Sequence, residues 1–170
     1  MTRTAEAAEG GAAALAFRSH DHSRCAATAL AEAEARIAAG GLRLTPVRRR
    51  SLEILLEAHR ALGAYEVLDR LAADGFGRQP PVAYRALDWL VANGLAHRVQ
   101  RLNAYVACLH PGHAHAPVFL ICRACSAVAE APGERVRAAL EAGAAASGFA
   151  VERASFEAVG LCPACRAAGA

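Results

Sequence analysis

The sequence predicts an α+β fold in two units, an N-terminal winged helix-turn-helix domain followed by a small α/β domain built around four cysteines. Three observations carry that prediction. Three segments with helical apolar spacing run from Thr45 to Gly94 and lead into a Val/Leu/Tyr-rich stretch with a turn at its centre. From Gly40 to Tyr105 ten arginines stand against six acidic residues, whereas residues 106–170 hold five Arg and five Glu. Finally, two C-x-x-C turns, Cys122–Cys125 and Cys162–Cys165, enclose most of the remainder.

Composition limits what such units can be. The chain has 170 residues and is 55% hydrophobic, but 45 of those residues are Ala. Leu, Ile, Val and Phe number only 37, so two small units have thin cores that metal ligation or a partner chain would reinforce. No run approaches the ~20 apolar residues of a spanning helix. The opening MTRTAEAAEGGAAALAF also lacks the basic-then-apolar order of a secretory signal, which predicts a cytosolic protein. In a reducing compartment, six cysteines point to metal or redox chemistry ahead of a disulfide framework.

Taken in order, residues 1–22 combine Ala, Gly and scattered charge without an apolar period and read as a flexible tail, with His20 and His22 as solvated side chains. Ser23 to Ala39 reads as a helix through Leu30, Ala33 and Ile37, stopped by Gly40-Gly41. Thr45-Pro46 opens the next helix, with Thr expected to supply the N-cap oxygen and Pro occupying the first turn; Leu52, Leu55, Leu56 and His59 continue its stripe. A helix over Ala64–Ala73 carries Val67, Leu68 and Leu71 and ends at Asp74-Gly75. Another follows Pro80-Pro81 and runs to Asn93-Gly94, leaving Tyr84, Arg85 and Asp88 on its outward side. Trp89 is expected to pack at the domain's edge. LAHRVQRLNAYVACL is a hairpin pattern, and helices followed by a hairpin in this order make a winged helix whose Val82–Ala92 helix suits a major groove.

Beyond it, the Pro/Gly/His-rich stretch 108–117 reads as a hinge between a domain at 23–107 and one at 118–170. In the second domain Val118–Ile121 and Ala127–Ala129 read as strands, Glu134–Ser147 as a helix, and Phe149–Val159 as a last strand.

Four thiolates from two tight turns complete a closed tetrahedral zinc site, which is structural because no position is left for a substrate. A thioredoxin-like redox pair would use one C-x-x-C at a helix start and leave the other unexplained. A second group, His97, Cys108, His110, His113, His115 and Glu130, gathers at the joint between the two units, and any four could coordinate a metal. If His97 and Cys108 face each other at the hairpin base, His115 and Glu130 can approach from the second unit, and a metal there would set the angle between the units. Mixed thiolate, imidazole and carboxylate ligands suit zinc. His59 reads as a surface or hydrogen-bonded histidine, and Cys25, with no partner nearby in the sequence, as a buried small hydrophobe or idle thiol. A zinc hydrolase using His97, His115 and Glu130 would need an open ligand position, which Cys108 closes, so the chain reads as a non-enzyme.

GLRLTPVR at 41–48, AYEVLDRL at 64–71, PPVAYRALDWLVANGLAHRV at 80–99, NAYVAC at 103–108, FLICRACSAVAE at 119–130 and GLCPAC at 160–165 together resemble the ferric-uptake-regulator superfamily, most closely its zinc-uptake-regulator branch. The resemblance implies a homodimeric, metal-dependent repressor that binds A/T-rich inverted repeats in double-stranded DNA when loaded with zinc and shuts off zinc-import genes. It implies two zinc sites per chain: a structural one at Cys122, Cys125, Cys162 and Cys165, and a regulatory one at His97, Cys108, His115 and Glu130. His115 keeps the family's spacing to Cys122. The positions matching family DNA contacts are Arg43, Tyr65 and Arg85. The usual PTVYRAL reads PVAYRAL here, without the Thr at the start of the recognition helix. An iron- or peroxide-responsive regulator of the same superfamily is the alternative, against which Cys108 stands where those relatives carry a carboxylate.

Overall fold

The computed structural model of the chain describes residue 17 and residues 22–58, 60–109, 111 and 117–170. The remaining tail residues, His59, His110, His113 and His115 lie outside the described residues, as does the side chain of Cys25.

Helix α1 (His22–Ala39) buries Ala29, Ala33 and Ile37, a 4-residue rhythm that lays one stripe against the rest. It stops where Gly41 takes φ 68°; a positive φ there is cheap only for glycine. Helix α2 (Pro46–Leu56) starts from an extended Thr45, but the Thr45 side chain makes no capping hydrogen bond, contrary to the sequence expectation. Its carbonyl instead accepts the Arg49 N–H, and Pro46 leaves one fewer orphan donor for a cap to satisfy. Strand β1 (Leu62–Gly63) leads into α3 (Ala64–Ala73), where the Glu66 carboxylate reaches back 2.9 Å to accept the Gly63 N–H. Helix α4 (Pro80–Ala92) buries Ala83, Ala86, Leu87 and Leu90, and Leu52, Leu55, Val67 and Leu71 complete the core that the four helices share.

The wing is larger than the predicted hairpin. Strands β2 (Ala96–Val99) and β3 (Ala104–Ala107) pair antiparallel as expected, and β1 adds to the far edge of β3, giving the order β1-β3-β2. The second unit holds β4 (Val118–Cys122), β5 (Val128–Ala131), α5 (Glu134–Ala146), β6 (Phe156–Gly160) and the short α6 (Pro163–Ala167). Its sheet has the order β5-β4-β6, with β4 antiparallel to β5 and parallel to β6. The last strand is shorter than the predicted Phe149–Val159: β4 begins at Val118, which pairs with Phe156, so among the described residues no strand lies beside 149–155.

A second apolar cluster joins the two sheets. Ala61, Val99 and Ala104 of the wing pack with Phe119, Ile121 and Val128 of the second unit. By contrast, α5 buries no side chain among the described residues, and Val136, Leu140, Phe149 and Val159 are all exposed. No helix among the described residues is long and apolar enough to cross a membrane.

Candidate metal centres and nucleic-acid interface

The parallel pairing of β4 with β6 sets Cys122 opposite Gly160, so the turns that leave these two strands emerge side by side. After β4 the chain doubles back: the Ser126 N–H donates to the Cys122 carbonyl at 3.0 Å, and Ser126 takes φ 60°. After β6, Cys162 caps α6, and the Cys165 N–H donates to its sulfur at 3.4 Å. The ligand atoms of Cys122, Cys125, Cys162 and Cys165 all lie within 4.8 Å of one another.

Two features test the fit to zinc. The Cys125 and Cys162 sulfurs are 3.8 Å apart, and zinc–sulfur bonds of about 2.3 Å at tetrahedral angles require about 3.8 Å between sulfurs. The backbone also favours ionised sulfur. The Cys162 N–H donates to the Cys122 sulfur at 3.4 Å; with the Cys125 N–H it draws that thiol down to about 6. Cys165 is pushed up to about 12 by hydrogen bonding with Cys162 and Cys125, and by burial. Four thiols this close cannot all ionise without a cation, which is the condition zinc relieves. Cys162 does begin a helix, as a redox pair would, but the other two sulfurs beside it make the set a ligand cage.

The second cluster sits where the wing meets the second sheet. His97 on β2 tilts against the Phe119 ring at 5.5 Å between centroids. Its Nε2 lies 3.9 Å from Oε2 of Glu130, which β5 presents opposite Phe119 on β4. Cys108, just past β3, is buried, and its N–H donates to the Leu95 carbonyl at 2.9 Å. The ligand atoms of His97, Cys108 and Glu130 are within 4.8 Å of one another. An imidazole, a thiol and a carboxylate converging between two sheets fit zinc, because burial disfavours a lone charge while ligation satisfies all three. His115 lies outside the described residues.

A third surface is made by α3, α4 and the approach to α2. Arg43, Tyr65, Tyr84, Arg85 and Asp88 are all exposed, as the stripe on α4 requires. The Tyr65 and Tyr84 rings meet edge to face at 6.4 Å, linking the start of α3 to α4. Beside Arg85 a shallow depression of about 340 Å³ is bounded by Thr45, Arg48, Gln79 and Pro81. Arg48 escaped the sequence reading. Its guanidinium lies over the Trp89 ring, 4.1 Å from the centre, a cation–π contact that holds a basic group at the rim. Arg49, Arg50, Arg60 and Arg70 are neutralised by carboxylates. Among the described residues Arg43, Arg48 and Arg85 form no ion pair, so this surface carries uncompensated positive charge.

The chain is 39% identical over 137 residues to the zinc uptake regulation protein of Escherichia coli (strain K12), a match spanning 80% of each chain. Among solved structures it is similar to a zinc uptake regulator complexed with zinc and DNA, with a TM-score of 0.81 and 36% identity over 85% of this chain and 97% of that one. It is also similar to the holo form of XcZur, with a TM-score of 0.74 and 38% identity over 86% and 99% of the two chains. No protein-family model matches the chain.

Proposed function

This chain belongs to the zinc uptake regulators of the ferric-uptake-regulator superfamily, and from that premise we propose that it is a cytoplasmic, zinc-responsive repressor of zinc-uptake genes rather than an enzyme. Residues 23–107 read double-stranded DNA at an A/T-rich inverted repeat, 108–117 form the hinge, and 118–170 dimerise and hold metal. The observation that carries the reading is the placement of His97, Cys108 and Glu130 at the contact between the DNA-reading unit and the other unit.

Cys122, Cys125, Cys162 and Cys165 would hold a structural zinc that closes the second unit. His97 on the wing, Cys108 just past it, Glu130 on the second sheet and His115 would hold the regulatory zinc. When bound, that ion would supply a shared positive charge that makes the approach of these ligand groups favourable. His97 is on the wing, Cys108 directly follows its last strand and Glu130 is on the second sheet, so holding them together holds the two units at one angle. The exposed apolar side chains of α5 and β6 suit a second copy of the chain. In a symmetric dimer the two α4 helices then reach successive major grooves, about 34 Å apart. The sensor works by selecting one arrangement, and its contacts with DNA stay the same in kind.

Binding to a labelled duplex carrying an A/T-rich inverted repeat, followed by fluorescence anisotropy at buffered free zinc, tests this. Affinity should fall at least tenfold when zinc is chelated. Arg85→Ala should weaken the zinc-loaded complex about tenfold, within the ~1–3 kcal/mol of a good arginine contact to a base edge. Equal affinity in zinc and in chelator overturns the proposal.

A further inference from the structure

The wing meets the second unit at a second point, away from the His97 cluster. Cross-strand pairing places Glu130 on β5 and Glu157 on β6 on either side of Phe119 on β4. Residues paired in this way share a face of the sheet, so Glu130, Phe119 and Glu157 form one row across it. That row follows the wing along its length. Glu130 and Phe119 meet His97 on β2, while Glu157 meets the turn that joins β2 to β3. There Oε1 of Glu157 accepts the Gln100 N–H at 2.6 Å and Oε2 accepts the Arg101 N–H at 3.0 Å. The turn is itself well formed: the Asn103 N–H donates to the Gln100 carbonyl at 3.0 Å, Asn103 takes φ 45°, and Arg98 donates to the Asn103 side chain at 2.7 Å.

We propose that Glu157 is a positioning residue for DNA binding, a clamp that fixes the tip of the wing to the second unit while the His97 cluster fixes its base. A joint held at one end can still swing about it; held at two separated ends, it cannot. Both oxygens are used, each on a different N–H, and hydrogen bonds to a carboxylate are shorter and stronger than neutral ones. Phe119, between Glu130 and Glu157 in that row, belongs to the apolar cluster that also holds Val99 and Ala104 of the wing. The chain as a whole is similar to a zinc uptake regulator complexed with zinc and DNA, with a TM-score of 0.81, and the clamp belongs to that arrangement if the proposed function holds.

The clamp rests on the function proposed above, and one set of measurements separates the two. Glu157→Ala removes both acceptors; Glu157→Gln keeps the shape and one oxygen while removing the charge, and serves if the Ala variant fails to fold. In zinc-loaded full-length protein, the amides of Gln100 and Arg101 should exchange with solvent at least tenfold faster in Glu157→Ala than in wild type, with Glu157→Gln between. Zinc per chain should be unchanged. Affinity for the inverted-repeat duplex at saturating zinc should drop 5- to 20-fold, within the usual range of coupling between sites, and the free zinc needed for half-maximal binding should rise. A residue that only stabilised the fold would lower the melting temperature and leave that zinc midpoint in place. Unchanged amide exchange, or faster exchange with wild-type DNA affinity and zinc midpoint, overturns the clamp alone. Wild-type protein whose DNA binding ignores zinc overturns the proposed function and the clamp's role with it.

Discussion

Replacing Cys125 with serine is expected to release one zinc per chain and unfold the second unit. Cys125 is exposed and contributes little packing, so the loss reports ligation and not a cavity. The effect is large because little else holds residues 118–170. Helix α5 buries no side chain, and the apolar contacts of this sheet are shared with the wing. Structural zinc in small domains is worth on the order of 10 kcal/mol of apparent binding free energy, and that energy is folding energy. Cys122, Cys162 and Cys165 would be left with three sulfurs whose crowding no longer has a cation to offset it. Elemental analysis after dialysis against a mild chelator should show the lost zinc, and amide exchange should show protection gone from β4, β5 and β6 while α2, α3 and α4 keep theirs. Retention of zinc and of protection across β4 and β6 would contradict the assignment of these four cysteines.

The second large effect belongs to Cys108. Serine is nearly isosteric there, and the site is buried between the wing and its neighbours, so Cys108→Ser should fold and dimerise. It should keep the zinc of the four-sulfur site and lose the other, because a hydroxyl does not replace a thiolate as a zinc ligand. The expected outcome is a roughly 100-fold loss of DNA affinity at a free zinc concentration that saturates wild type, near the upper end of ordinary coupling energies. His97→Ala should behave alike. The two variants combined should cost little more than either, since both remove one site. Anisotropy against the inverted-repeat duplex checks this; a Cys108→Ser protein with wild-type zinc response would remove Cys108 from the sensing site.

Much of this organisation was legible in local signals. Pro80-Pro81 and Asn93-Gly94 bracket α4, and Asp74-Gly75 ends α3, because capping and stop residues act within a few positions. The C-x-x-C turns were legible for the same reason, each being a complete two-ligand unit. What escaped depends on partners distant in the chain. A two-residue strand such as β1 has no period to detect. Phe149 and Val151 alternate like a strand, yet β4 offers no edge for them to join. Arg48 looks like its neighbours Arg49 and Arg50 until Trp89, 41 residues later, is seen beneath it. Glu157 reads as one more strand glutamate, and only the register of β6 on β4 aims it at the wing.

A stepwise zinc titration separates the work of the two ligand sets. Chelator-stripped protein is supplied with zinc in known equivalents while duplex binding is followed by anisotropy. The first equivalent per chain is expected to restore the fold of the second unit without restoring DNA binding, and binding is expected to rise with the second equivalent. Full DNA binding at one equivalent per chain, or binding that never depends on zinc, would contradict this division of labour.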